Sequence, residues 1–339
     1  MSEKKCYVIV VNYNGWKDTI ECLESLYRSD YTNFQTIIVD NYSTDESVLH
    51  IKKWALGAKS ISIESDFFNA RLENSLISKP LNFEILDDNF IIQEKNNIVS
   101  ERKLTLINSN ENKGYAAGNN LGFKYALSQD DCDYLWILNN DTFIDENSLG
   151  NQIKYIKSKD KLVLLGSKLL YYDNPGTIQS YGGQINSFTM VTNHIGDGRK
   201  NDEYFSRESI PDYIPGASIF CDKKIIEKIG NIPEEYFMYG EDLDWSLKAK
   251  AHGIELHICP DSIIWHKEGA SLKYYKKGNR KPELSDHLSV VNRLIIAKKY
   301  FPKRILFVYA GILVSILRRL FRRQPKRSLK IIKHILNYD

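Results

Sequence analysis

The sequence predicts an α/β fold built on a doubly wound, mostly parallel sheet. Three observations predict it. Short runs rich in Val and Ile alternate with stretches of helical periodicity. The apolar runs are strand-length and near-continuous, as in strands buried on both faces. Each run ends in a cluster of Asn, Asp or Gly, where a sheet of this kind presents its carboxyl edge to a ligand.

Taken in order, CYVIVVN (Cys6–Asn12) reads as a buried strand. The following WKDTIECLESLYRS places Ile20, Leu23 and Leu26/Tyr27 on one helical face. FQTIIVD (Phe34–Asp40) is a second strand, which makes a βαβ unit with a right-handed crossover. NYSTDESVLHIKKWA opens a helix in which Ser43 and Glu46 fit a capping box. LTLINS (Leu104–Ser109) is a third strand, AGNNLGFKYALSQ a helix, and DYLWILNND (Asp133–Asp141) a fourth strand. The strand ends carry Asn12 and Asn14, then Asp40 and Ser43, then Asn110, Asn112 and Gly114, then Asn139, Asn140 and Asp141. Singly, each cluster is ordinary turn chemistry; four on one edge form a pattern. The segment Ala58–Lys103 reads as an insertion holding a hairpin in LNFEILDDNFIIQE.

The second half begins near Asn151. KLVLLGSKLLYY suggests strands broken at Gly166, and TIQSYGGQI a Gly-Gly turn. YIPGASIFCDKKIIEKIG suggests a strand entering a helix, with Gly216 where backbone approaches a ligand. YFMYGEDLDWSLKAKAHG (Tyr236–Gly253) sets Glu241, Asp242 and Asp244 beside Tyr236, Phe237, Met238, Tyr239 and Trp245. Acids suit the first turn of a helix, where they face the positive end of its dipole. Leu243, Leu247 and Ala251 continue that helix, and IELHICP and SIIWHKEG read as two more strands.

Five scattered cysteines without a CxxC pair point to reduced thiols, and against a disulfide framework or a structural zinc site. The N-terminal apolar run has strand length, unlike a signal peptide. The net charge of +3 conceals a contrast: Lys298–Asp339 holds twelve Lys or Arg against Asp339 alone, so this tail carries +11 and the remainder −8. Its apolar run, Ile305–Leu317, is too short to span a bilayer. Arg318, Arg319, Arg322, Arg323, Lys326 and Arg327 favour an anionic membrane surface. A helix packed on the domain is the alternative. Nucleic acid is not the expected partner, because no recognition motif accompanies the charge. Glycines 114, 118 and 122 do not match G-x-G-x-x-G, which speaks against a dinucleotide site.

The motifs VIVVNYNGWKDTIECLESL, IIVDNYSTDES, NENKGYAAGNNLG, LNNDTF, PGASIF, YFMYGEDLDWSLKAKAHG and WHKEGAS resemble, in order and context, those of the family 2 glycosyltransferases, nearest to the rhamnosyltransferase-like branch. The resemblance covers about Lys5–Arg293 apart from Ala58–Lys103. It implies a GT-A fold, with a nucleotide-sugar-binding half (1–150, insertion 58–103), an acceptor half (151–297) and a basic helical tail (298–339).

By that resemblance Asn12, Asn14, Asp40 and Ser43 hold the base and ribose of a dTDP- or UDP-sugar. Asn112, Lys113 and Gly114 line the far side of the pocket, and Asn139 and Asn140 complete it. Asp141 binds a divalent cation, Mn²⁺ or Mg²⁺, and His266 completes the metal site. Where the family carries Asp-x-Asp, this chain has Asn139 in the first place, so one ligand charge is missing. Asp242 is the expected general base, Glu241 the runner-up, and Asp244 the residue that orients a loop or the acceptor. Neighbouring acids and apolar walls would raise the base toward its working range. The expectation is an inverting enzyme working on a saccharide or lipid-linked glycan acceptor. It would sit in the cytoplasm, peripheral on the inner face of the cell membrane. A homo-oligomer is compatible with the sequence, which does not fix stoichiometry.

Overall fold

The computed structural model describes residues 3–72, 77–96, 103–267 and 283–338. Its first part comprises β1 (Cys6–Asn12), α1 (Trp16–Leu26), β2 (Phe34–Asp40), α2 (Ser47–Ala55), α3 (Asp66–Leu72), β3 (Asn82–Asp87), β4 (Ile92–Lys95), β5 (Lys103–Asn108), α4 (Tyr115–Leu127), β6 (Tyr134–Asn139), β7 (Thr142–Ile144) and α5 (Ser148–Lys157). The second comprises β8 (Val163–Tyr171), β9 (Ile178–Ser180), β10 (Gly183–Asn186), β11 (Val191–His194), β12 (Ser218–Asp222), α6 (Lys223–Ile229), α7 (Glu241–Ala251) and β13 (Glu255–His266). Three helices follow: α8 (Glu283–Tyr300), α9 (Ile305–Phe321) and α10 (Pro325–Tyr338).

One 11-stranded sheet runs β4-β3-β5-β2-β1-β6-β12-β8-β13-β7, with β9 paired to β8. The strands β3, β5, β2, β1 and β6 are mutually parallel. The strand β12 is inserted antiparallel between β6 and β8. Alternation along β1 sends Tyr7 and Ile9 into one core and Cys6, Val8 and Val10 into the other, so both faces of the sheet are buried. Register aligns Asn12 with Asp40, Asp40 with Asn108, and Val11 with Asn139, which gathers the polar strand ends on one edge.

Several expectations change. The hairpin of the 58–103 segment forms, but β3 also pairs in parallel with β5 and so lengthens the sheet; Leu81, Phe83 and Ile85 are buried there. Its residues 73–76 and 97–102 lie outside the described ones. Gly166 does not break a strand. The strand β8 passes straight through it, and a Cβ would fall 2.7 Å from Ile258 Cδ1 and 2.8 Å from Ile214 Cγ2. The two strands expected around Pro260 are one, β13, with a bulge between Cys259 and Ile263. The Ser43–Glu46 capping box does not form, because Glu46 sits at φ 60° and Ser43 is used elsewhere.

The helix α8 runs unbroken across position 297, where the sequence reading placed the start of the tail. A third core joins Tyr213, Tyr236 and Leu243 to Val290, Leu294, Val308, Ile312 and Ile331. The C-terminal helices are therefore packed on the domain. Among the described residues no helix is long and apolar enough to cross a membrane.

Candidate active site

Three groups of side chains meet the polar edge. The first is a hydrogen-bonded net at the ends of β1 and β2. Asn12 is fully buried; its amide donates to Asp40 Oδ1 (2.7 Å) and Ser43 Oγ (3.1 Å), and its oxygen accepts from Thr19 (2.8 Å). The Ser43 backbone N–H donates to Asp40 Oδ2 (3.0 Å), and the Asn14 N–H to Ser43 Oγ (2.9 Å). Asn14 takes φ 50°, a conformation Asn tolerates, and its oxygen accepts from the Thr44 N–H (2.7 Å). Asn140 donates to Thr19 Oγ1 (3.1 Å). Asn12 and Asn140 thus brace this wall from behind, whereas Asp40 keeps carboxylate lone pairs beyond the two it has engaged.

The far wall is the loop before α4. Asn112 Oδ1 accepts from Asn41 (2.9 Å) and from the Gly114 N–H (3.0 Å). Lys113 is exposed and pairs with Glu111 (2.6 Å). Gly114, at φ 94°, is needed for a close approach: a Cβ there would fall 2.3 Å from the Phe237 carbonyl oxygen. Gly114 thereby joins this wall to the loop that carries the acids.

The second group is built by β7 and β13. Their antiparallel register sets His266 opposite Thr142, and the Lys267 N–H donates to the Asp141 carbonyl (3.0 Å). Gln179 on β9 fixes the imidazole. Its amide NH₂ donates to the His266 carbonyl (3.3 Å), so its oxygen faces His266 Nδ1 at 2.8 Å. Nδ1 then carries the proton and Nε2 presents a lone pair. Nε2 lies 3.1 Å from Asp141 Oδ1 and 3.3 Å from Asn139 Nδ2. A carboxylate oxygen and an imidazole lone pair at this spacing fit a divalent cation with two protein ligands, phosphate oxygens and waters filling the rest. Among the described residues no three His, Cys, Asp or Glu gather to hold a metal without such help.

The third group is the start of α7, entered through Tyr239 (φ 67°) and Gly240 (φ 109°). Asn292 of α8 holds that turn by donating to the Met238 carbonyl (3.0 Å) and the Tyr239 carbonyl. Asp242 Oδ2 accepts from the Gly216 N–H (3.0 Å) and Oδ1 from the Leu243 N–H (2.8 Å). The Gly216 carbonyl in turn accepts from Tyr115 Oη (2.6 Å). Burial pushes the Asp242 carboxyl up, and those two N–H groups and the nearby charge of His194 pull it part of the way back. Glu241 is buried, with Oε2 lacking any hydrogen-bond partner. Its burial and the adjacent Asp242 charge push it up to about 8.

Asp244 differs from both. It is fully buried and accepts from Tyr236 Oη (2.9 Å), Lys299 Nζ (2.7 Å) and Tyr300 Oη (2.5 Å), which bolts α7 to α8. The acids therefore separate into a pair with raised carboxyls and an anchor. Gln179, Tyr115, Asn292, Lys299 and Tyr300 went unnoticed in the sequence because each acts from an element distant in the chain.

A family model described as "Glycosyl transferase family 2" matches residues 7–67 and 74–228. The low-salt glycan biosynthesis hexosyltransferase Agl10 of Haloferax volcanii is 22% identical over 246 residues, 71% of this chain and 77% of that protein. The rhamnosyltransferase WbbL of Escherichia coli is 23% identical over 157 residues, 43% of this chain and 58% of that protein. Among solved structures, GalNAc-T7 with UDP, GalNAc and Mn²⁺ aligns with a TM-score of 0.57 at 13% identity, covering 91% of this chain and 50% of that one. The mannosyltransferase PcManGT from Pyrobaculum calidifontis, in complex with GDP-Man and Mn²⁺, aligns with a TM-score of 0.50 at 13% identity, covering 96% and 84%. At such identities the structural likeness speaks for the fold, which is GT-A.

Proposed function

The chain belongs to glycosyl transferase family 2, and from that premise we propose that it is an inverting transferase with Asp242 as its general base. The observation that carries this is the environment of Asp242. It is a half-buried carboxylate raised in basicity, aimed by two backbone N–H groups and set beside a second acid with one unpartnered oxygen. In the reaction an acceptor hydroxyl forms a bond to the anomeric carbon as the bond from that carbon to the diphosphate oxygen breaks. The hydroxyl proton passes to Asp242, and the nucleoside diphosphate departs with the electron pair. One displacement inverts the centre and leaves no covalent intermediate. Glu241 holds a proton beside Asp242 and limits the charge there, and Asp244 is a positioning residue.

Asp141 and His266 would hold the divalent cation, which supplies neutralisation of the leaving diphosphate. Asp40, Ser43, Asn14 and the Asn112–Gly114 loop would bound the nucleotide, with Lys113 free to swing from Glu111 toward phosphate. The donor we favour is dTDP-rhamnose, supported by the rhamnosyltransferase among the relatives. A UDP-hexose or UDP-galactofuranose is the alternative. The acceptor is a saccharide or lipid-linked glycan of surface polysaccharide or cell-wall synthesis, met at the inner face of the cell membrane. The division into donor half 1–150, acceptor half 151–297 and tail 298–339 belongs to the same proposal.

Thermal shift against UDP, dTDP, GDP and CMP, each with and without Mn²⁺, tests it. A ligand that binds only the native state raises Tm. A metal-dependent rise with dTDP or UDP is expected. No rise with any nucleotide would favour a second reading, a non-catalytic scaffold, for which Asn139 in place of an acid is the supporting observation.

A further inference from the structure

The helix α9 is apolar nearly all round, yet only one side of it is packed. Val308, Ile312 and Ile316 are buried against the domain. On the opposite side Leu306, Phe307, Leu313, Val314, Leu317, Leu320 and Phe321 are exposed, Leu306 at 78% and Phe321 at 94%. At 3.6 residues per turn these positions fill an arc of roughly 140°. A helix face of that width and composition needs a non-aqueous partner.

The turn of the β10–β11 hairpin extends this face. Phe188 is half-exposed and meets the Phe307 ring edge-on at 5.3 Å. The Arg304 guanidinium lies over the Phe188 ring at 4.6 Å and bonds Ser187. Met190, at the same turn, is buried in the core that holds Val308 and Ile312. Hairpin tip and helix are thus fixed to one another.

Charge identifies the partner. Residues 305–338 contain no Asp or Glu. Two of the basic residues are used internally, since Arg319 and Arg327 pair with Asp286 of α8. Arg318, Arg322, Arg323, Lys326 and Lys333 remain exposed around the apolar arc. A second copy of the chain would bring like charges together. A neutral apolar partner would leave the cations without counter-charge. An anionic bilayer accepts both features: side chains enter the acyl boundary while cations meet headgroups.

We propose that the outer face of α9 and the tip of the β10–β11 hairpin form one docking surface for an anionic membrane, with α9 lying in the interface plane. This deepens the reading above by assigning Phe188 and the exposed arc of α9 to the contact, beyond the basic tail. The hairpin also gives the contact a direction. From that turn its second strand, Val191–His194, leads about 10 Å at strand rise to His194, whose ring faces Tyr213 at 6.5 Å.

Co-sedimentation of the full chain with vesicles of phosphatidylcholine, with or without phosphatidylglycerol, tests the surface. Binding only to the anionic vesicles is expected. Phe188→Ser and the double variant Phe307→Ser/Leu313→Ser should each weaken it about tenfold, because each removes exposed apolar area that would be buried on docking. Both change exposed side chains, so an unchanged Tm verifies folding. As an independent readout, tryptophan emission of Phe307→Trp should shift to shorter wavelength on anionic vesicles. Failure of the wild type to bind anionic vesicles overturns the proposal. So does unchanged binding by both apolar variants, which would leave charge alone as the cause, or burial of the face in a dimer seen by sedimentation. If vesicles bind but no sugar is transferred, the catalytic reading fails and the surface stands.

Discussion

The strand-edge net and the first turn of α7 are built on opposite rules. Around Asn12, Asp40 and Ser43 each polar group meets another, and the net closes on itself within the protein. At the start of α7 a buried and a half-buried acid stand side by side, and one carboxylate oxygen has no partner. A closed net gives shape. An open one stores a charge imbalance that only a ligand or a proton can relieve. Asp244, two residues from Asp242, shows that the difference is one of wiring: the same residue type, given two tyrosines and a lysine, becomes an anchor.

Substitutions can break or sharpen this contrast. The largest effect is expected at Asp242. Asp242→Asn should lower kcat by roughly 10²–10⁴ while leaving the nucleotide-induced Tm shift intact, because it removes proton acceptance together with one of the two backbone N–H bonds; wild-type turnover in this variant would dismiss Asp242 as the base. Next comes Asp244→Ala, which leaves the Tyr236 hydroxyl without its acceptor and reduces Lys299 to Glu235 and Tyr300 to the carbonyl of residue 244. A stability loss of about 2–4 kcal/mol is expected in urea denaturation, larger than any change in KM for the donor. Asp40→Ala opens the closed net and should cost about 1–3 kcal/mol together with a weaker nucleotide response, measured on the same samples.

A fourth test concerns pH. Glu241 is raised in the folded state from the usual 4.5 to about 8, so the folded protein binds the extra proton between those values. Stability contributed by this group is present below about 4.5 and is lost as pH rises through about 8. Glu241→Gln should flatten that decline in melting curves taken across the range. A decline as steep as that of the wild type would place the imbalance elsewhere.

The strands β1, β2, β5 and β6 were legible because each is an apolar run ending in a polar cluster; Cys6–Asn12 and Phe34–Asp40 match the observed strands residue for residue. The second half was less so. Gly166 has the signature of a break and serves as a packing contact, since its role depends on Ile258 of β13 and Ile214 of the loop before β12. Ser43 fits a local cap, yet its hydroxyl is claimed by Asn12 and Asn14, some thirty residues away in sequence. The acids of α7 were visible as a group. Their division of labour was not, because it is decided by α8, more than forty residues further on.

One contact carries a consequence for how the two substrates sense each other. The Tyr115 N–H donates to the Phe237 carbonyl (3.3 Å), and at Gly114 the two backbones touch with no room for a methyl group. The Asn112–Gly114 loop, proposed above to border the nucleotide, and the loop leading to Asp242 are therefore tied backbone to backbone. Energetically that is a coupling term, and it is reciprocal: the factor by which acceptor tightens nucleotide must equal the factor by which nucleotide tightens acceptor. Titrating UDP or dTDP with and without a bound saccharide would measure it, and Gly114→Ala, which forces the loops apart, should bring the factor toward one.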